Sequence, residues 1–302
     1  MRNSQAIFLA VFLFFIGFDN QLSVVVVEAN FWDTTYFNWG AHHSSVYNNG
    51  DDKLQVINMY LTNVYLCCFA GSGIESKKQF LFGSIEMQIK LVPGNSAGTV
   101  TAYYLSSKGD KHDEIDFEFL GNVSGKPYII HTNVFAQGVG NKEQQFYPWF
   151  DPTTGFHNYT VHWNPSQIVW FVDGIPIRAF RNYEYLGIKY PNRQGMKAYS
   201  SLWNADNWAT RGGLDKIDWN KSPFSAKLRK FTPRACTWFG QGSIGYCSSK
   251  ANWYISFAYS NLNYAQKGQM KWVRDKYMIY DYCKDTKRFN WNMPRECSLQ
   301  QF

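Results

Sequence analysis

"KHDEIDFEFLGN", Lys111 to Asn122, places Glu114, Asp116 and Glu118 at every second position and fills the alternate positions with Ile115, Phe117 and Phe119. Apolar and acidic residues exchanging at each step is the two-residue period of a β-strand with one face in a core. A helix would scatter the three acids around its circumference. On a strand they share one face, and their mutual repulsion predicts at least one raised pKa. A solvated acidic edge strand would read in the same way, since charge on an edge discourages aggregation. Lysine or threonine would serve that purpose without the repulsion, which favours chemistry.

Working outward, short alternating runs recur between Phe31 and Pro223, separated by Gly, Asn, Pro and Asp. They include Phe80–Leu91, Gly98–Leu105, Tyr128–Phe135, Asn158–Asn164 and Ile168–Val172, and Asp173-Gly174 in "VDGIPIRAF" is a hairpin signal. No long helical period interrupts them, so the expectation is an all-β sandwich or jelly roll. After Pro223 the pattern changes, and a helix is expected around Ala265–Tyr277 in a C-terminal extension packed on the sandwich.

The chain has 302 residues, a formal charge of +7, and 12 Trp, 20 Tyr and 24 Phe. So many aromatic rings suggest stacking surfaces as well as core, for sugars or for bases. Lys and Arg form no block of five or six, so nucleic acid is not the expected partner, and a loose attraction to acidic polysaccharide fits the charge equally well. At the N-terminus, Arg2 precedes the apolar run Ala6–Phe18, and Val27-Glu28-Ala29 offers a cleavage site. This reads as a secretory signal over residues 1–29, too short to anchor in a membrane because Asp19, Asn20 and Gln21 interrupt it. The cysteines agree: Cys236 with Cys247 and Cys283 with Cys297 are natural local disulfides, no zinc-type spacing occurs, and Cys67 and Cys68 have no evident partners. Sequons begin at Asn122, Asn158 and Asn220.

Two carboxyls across a glycosidic bond are the minimal machinery for sugar transfer, and in retaining enzymes they lie about 5–5.5 Å apart. Glu114 and Glu118 are separated by about 13 Å between Cα atoms on a flat strand, a gap that two inclined glutamates and sheet twist can close. Asp116 between them can orient the nucleophile, while crowding keeps one Glu protonated as a general acid requires. A calcium site is the rival use of three acids, but it draws on loop carbonyls and irregular spacing.

At these residues the chain resembles the plant xyloglucan endotransglucosylase/hydrolases of glycoside hydrolase family 16. The likeness extends to "LFGSIEMQIKLVPGNSAGTVTAYYLSS", "PYIIHTNVFAQGVGNKEQQFYPWFDPT", "YSSLWNADNWATRGG", "YMIYDYC" and "DTKRF", which covers nearly everything after Gly71. The resemblance implies a concanavalin-like β-jelly-roll sandwich with a concave substrate cleft and a short C-terminal extension. The chain is thus expected to divide into a signal at 1–29, a catalytic domain at 30–223 and an extension carrying both disulfides at 224–302. It implies Glu114 as nucleophile, Asp116 as assisting acid and Glu118 as acid/base. It puts His131, Thr132 and Asn133 in the sugar cleft, and Asn141, Lys142 and Glu143 in a glucan-contacting loop. It implies that Trp203, Asn207, Trp208 and Gly212 fall on the acceptor side, that Arg288 reaches the acceptor and that Asn122 carries a glycan. It supports the Cys236–Cys247 and Cys283–Cys297 pairings, and it requires neither cofactor nor metal.

Read without the family, His131 to Asn133 are ordinary strand, Asn141 to Glu143 a solvated turn, Arg288 a surface charge, and Trp203 and Trp208 core as readily as sugar platforms. The expected partners are a xyloglucan donor and a xyloglucan or oligosaccharide acceptor, handled by a secreted monomer of the cell wall and apoplast, off the membrane once the signal is removed. The region "WNADNWATRGGLDKIDW" resembles transferase members, so transfer is expected over hydrolysis, while a lectin-like module on the same sandwich is a different class of reading. Two departures stand out: Asn207 occupies a position where many members carry Asp, and Ile57–Phe69, with Cys67 and Cys68, intervenes where relatives run on almost directly.

Overall fold

The computed structural model describes residues 30–47, 52–57 and 71–302. The expected signal segment, residues 58–69 of the additional stretch, Cys67 and Cys68 lie outside the described residues. In chain order the strands are β1 (Thr35–Trp39), β2 (Ser44–Tyr47), β3 (Asp52–Ile57), β4 (Gly71–Ser76), β5 (Phe80–Lys90), β6 (Thr99–Ser106), β7 (Glu114–Leu120) and β8 (Ile129–Phe135). They continue as β9 (Gln144–Phe146), β10 (His157–Trp163), β11 (Gln167–Val172), β12 (Ile175–Arg181), β13 (Lys197–Asn204), β14 (Phe224–Thr237) and β15 (Met278–Asp281).

These strands form two sheets, ordered β1-β4-β13-β6-β7-β8-β9-β15 and β12-β11-β10-β5-β14-β3-β2, with antiparallel neighbours throughout. This is the expected all-β jelly-roll sandwich. The runs read from the sequence fall on β5, β6, β8, β10 and β11 within one or two residues at each end. The β11–β12 hairpin turns at Asp173 and Gly174, with φ of 49° and 77°, a left-handed pair that suits Asp-Gly. Both expected disulfides are present, Cys236–Cys247 and Cys283–Cys297.

The acidic strand β7 is central in its sheet, between β6 and β8. Its apolar residues Ile115, Phe117 and Phe119 are wholly buried against the opposite sheet, where Tyr159 of β10 packs edge-on to both phenylalanines at 5.7 and 4.5 Å between ring centroids. Each such aromatic side chain contributes about 2–3 kcal/mol by leaving water, and together they fix which face of β7 is left for the acids. Two side chains of the opposite sheet, Trp170 and Arg178, reach across the sandwich with hydrogen bonds. The Trp170 indole N–H of β11 donates to the Asp116 carbonyl at 2.9 Å. The buried Arg178 of β12, its guanidinium 4.7 Å from the Trp170 ring, donates to the carbonyl and hydroxyl of Thr132, each at 2.8 Å, and to the Lys142 carbonyl.

The C-terminal segment is woven into both sheets. β14 runs between β5 and β3, and β15 closes the edge of the β7 sheet beside β9. The helix expected near Ala265–Tyr277 spans Tyr264–Lys276, started by a reciprocal capping box between Asn263 and Gln266 and buried on β12 through Met270 and Val273.

Trp170→Phe keeps the ring packing but leaves the buried Asp116 carbonyl without its donor. Urea denaturation is expected to show a loss of about 1–3 kcal/mol, and an unchanged midpoint would show that the contact does not pin β7.

Candidate active site

Antiparallel register sets the cleft out in rows across the sheet. Glu114 stands opposite Ser106 of β6 and Phe135 of β8, Asp116 opposite Tyr104 and Asn133, and Glu118 opposite Ala102 and His131. The Asp116 row continues through Tyr199 of β13 and Glu75 of β4 to Tyr36 of β1, with Tyr104 and Tyr199 stacked at 5.0 Å. The Glu118 row passes Ser201 and Gly73 to Trp39 in one direction and reaches Gln145 of β9 in the other. All three acids open into one cleft walled by Trp39, Trp203 and Trp208. Gly73 has a structural reason to be glycine: a Cβ there would meet the Trp39 indole nitrogen at 2.1 Å, so its absence lets the indole lie across β4.

The electrostatics separate the three carboxyls. Asp116 is buried to 5% exposure, and burial, followed by the charges of Glu114 and Glu118, drives its pKa well up against the opposing pull of Arg178. Asp116 and Glu114 share a hydrogen bond that raises the former and lowers the latter. Protonated Asp116 is therefore the donor and Glu114 the acceptor. Burial also raises Glu114, partly offset by a hydrogen bond with Ser106 and by His112. Glu118 is pushed up to about 7, by burial first and then by Glu114 and Glu143. Glu118 thus holds its proton near neutrality, while Glu114 is the acceptor of the Asp116 hydrogen bond. His131, with Nε2 3.6 Å from Glu118 Oε2, is neutral because burial lowers it to about 4.

Of the residues expected in the cleft, His131, Asn133, Glu143, Trp203 and Trp208 line it with the acids. Trp208 meets the His131 ring edge-on at 6.2 Å and lies 6.1 Å from Trp203. Asn133 also secures the backbone, its Oδ1 accepting from Val134 N–H at 2.9 Å and Lys142 N–H at 3.0 Å. Thr132 has to be corrected. It pairs with Phe117 on the core face of β8, is fully buried, and donates to the Gln144 carbonyl while accepting from Arg178. The period of two that exposes its neighbours to the cleft turns its side chain inward. Lys142 is likewise turned away from the cleft, its ammonium donating to the Val139 and Gly140 carbonyls at 3.1 Å.

Arg288 grips Glu143 through both carboxylate oxygens, at 2.6 and 2.9 Å, and reaches Asn141 Oδ1 at 3.0 Å. These three residues, with Tyr280 accepting from Arg288 at 3.0 Å, form a polar cluster joining the C-terminal segment to the β8–β9 loop. Asn207 and Gly212 are exposed in the loop after β13 that carries Trp208. The conformation of that loop requires Gly213 (φ 86°), where a Cβ would sit 2.6 Å from the Asn207 carbonyl. Asn122 follows β7, its amide donating to the Pro127 carbonyl at 2.9 Å, and Asn158 donates to Glu86 from within β10.

Sequence reasoning missed Trp39, Tyr104, Trp170, Arg178 and Gln145. Tyr104 and Gln145 lie in quoted stretches whose alternation carries the signal for their facing. The roles of Trp170 and Arg178 depend on the opposite sheet, which local pattern does not reveal.

The fold and the paired acids define a glycosidase architecture. The family model for glycosyl hydrolases family 16 matches residues 31–221, and that for the xyloglucan endo-transglycosylase C-terminus matches residues 248–297. Xyloglucan endotransglucosylase/hydrolase protein 15 of Arabidopsis thaliana is 52% identical over 269 residues, covering 89% of this chain and 90% of that protein. Xyloglucan endotransglucosylase protein 1 of Diospyros kaki is 48% identical over 285 residues, covering 94% and 93%. The Bacillus licheniformis beta-glucanase structure superposes with a TM-score of 0.52 at 22% identity, covering 67% of this chain and 92% of that one, a likeness of fold. The chain belongs to glycosyl hydrolase family 16 and, within it, to the xyloglucan endotransglucosylase/hydrolases.

The folded protein binds the Glu118 proton more tightly than the unfolded chain does. Its contribution to stability is complete below about pH 4.3 and is lost as pH rises through about 7. Glu118→Gln is therefore expected to raise the unfolding free energy at pH 8 by about 1–3 kcal/mol and to change it little near pH 4. Urea melts at the two pH values check this, and equal shifts at both would contradict the assigned titration.

Proposed function

We propose that the protein is a retaining endotransglucosylase that cuts the β-1,4-glucan backbone of xyloglucan and rejoins it to another xyloglucan chain. The observation that carries this reading is the division of labour on β7, where Asp116 bonds Glu114 and Glu118 holds its proton up to about 7. Glu114 attacks the anomeric carbon while Glu118 gives its proton to the departing glycosidic oxygen, forming a glycosyl ester on Glu114. In the return step Glu118, now a carboxylate, takes the proton of an acceptor sugar hydroxyl, whose oxygen displaces Glu114 at the same carbon. Asp116 keeps its proton and holds the nucleophile through both steps.

Transfer requires the ester to meet a sugar before water, which a held acceptor achieves by proximity. Trp208, edge-on to His131, and the Arg288–Glu143–Asn141 cluster beside the β8–β9 loop supply ring stacking and directed hydrogen bonds. The segment 224–302 thus serves the acceptor side while β7 performs the chemistry. We further assign the protein to the cell wall as a secreted monomer, in keeping with the wall polysaccharide it acts on. No helix among the described residues is long and apolar enough to cross a membrane.

Incubation with xyloglucan and a fluorescent xyloglucan oligosaccharide is expected to move label into polymer. Reducing ends accumulating without label incorporation would assign hydrolysis instead. Glu114→Ala should lower turnover by more than about a thousandfold, whereas a lectin-like module would keep its affinity and have no turnover to lose. The wild-type rate should fall on an alkaline limb near pH 7, where Glu118 loses its proton. Arg288→Ala should raise the acceptor KM about tenfold or more with a smaller effect on donor cleavage. Equal losses on both would move Arg288 out of the acceptor site.

A further inference from the structure

The Glu118 row does not stop at His131. Gln145 of β9 is the cross-strand partner of His131, and its side-chain amide meets His131 Nδ1 at 3.0 Å. On the far side Gln145 faces Tyr280 of β15, whose hydroxyl accepts from Arg288 and donates to Asp285 at 2.9 Å. Acid, imidazole, amide and phenol therefore stand in one line across four adjacent strands.

We propose that Gln145 is a positioning residue: by donating to Nδ1 of His131 it fixes the imidazole with its proton on Nε2 and aims that N–H at Glu118. A neutral imidazole has one donor and one acceptor nitrogen. With Nδ1 accepting from the amide, Nε2 is the donor. The Nε2–Oε2 separation of 3.6 Å is too long for a hydrogen bond while Glu118 keeps its proton. Once Glu118 has protonated the departing oxygen, its carboxylate attracts the N–H and the contact shortens. The interaction is then stronger after proton transfer than before it, which is the condition for lowering the barrier. The opposite tautomer would turn a lone pair on the new carboxylate and oppose the transfer.

The charged groups around the pair are Glu114 from β7, Glu143 from the β8–β9 loop, Arg178 from β12 and Arg288 from the C-terminal segment, with protonated Asp116 of β7 beside them. Burial outweighs Glu143 at His131 and keeps the ring neutral, so the tautomer, not an imidazolium charge, is what Gln145 controls.

This inference rests on Glu118 acting as acid/base, and its test separates the two. Nitrogen-15 NMR of the histidine rings, with His131 assigned by its loss in His131→Asn, reads the tautomer without reference to turnover. The wild type is expected to show the proton on Nε2, Gln145→Leu a mixture of tautomers, and Gln145→Lys, a pure donor, the wild-type form. In kinetics Gln145→Leu is expected to shift the alkaline limb upward by about 0.5–1 pH unit and to lower kcat severalfold below it. Gln145→Lys should not shift the limb upward. A proton found on Nδ1 in the wild type overturns the inference. So does a Gln145→Leu limb that coincides with the wild type while Glu118→Gln has abolished turnover. Full activity in Glu118→Gln would instead overturn the assignment of Glu118 itself.

Discussion

Three carboxyl groups on one strand face, shielded from water by the walls of the cleft, cannot all carry charge. Each negative charge raises the cost of the next, and burial raises all of them. The resolution is a fixed order: Asp116, the most deeply set, keeps its proton, Glu114 accepts the hydrogen bond from Asp116, and Glu118 gives up its proton near neutrality. The proposed nucleophile and the proposed acid are the same kind of side chain. Their different roles follow from their different surroundings.

The rest of the sandwich keeps that order intact. Phe117 and Phe119, interlocked with Tyr159, prevent β7 from slipping by one residue, a shift that would bury the acids and expose the rings. Trp170 ties down the carbonyl of Asp116 from the opposite sheet, and Arg178 links Thr132 to the Lys142 carbonyl, so β8 and the loop carrying Glu143 move with the core. The C-terminal segment contributes β15 and Arg288 to the same face. A glutamate held protonated near pH 7 costs folding stability there, which is the ordinary compromise of the acid/base role proposed for Glu118.

Much of this was legible in "HDEIDFEF", because a strict alternation of acid and aromatic residues has one strand reading and identifies both faces at once. The hairpin at Asp173-Gly174, the helix near Ala265 and both disulfides were legible for similarly local reasons. Thr132 shows how a family pattern taken as a block misleads: its neighbours face the cleft, but the strand period turns it to the core. Arg178 and Trp170 were hidden because their partners lie on strands distant in sequence. The place of β14 between β5 and β3 is a matter of topology, which composition does not record, so composition alone assigns it to the extension.

The central claim is that Glu114 forms a covalent bond to the sugar while Glu118 manages the proton. Trapping the enzyme with a mechanism-based β-glucoside bearing a fluorine beside the anomeric carbon, followed by peptide mass mapping, tests it most directly. The account predicts a single adduct on Glu114. An adduct on Glu118 or any other side chain would contradict it.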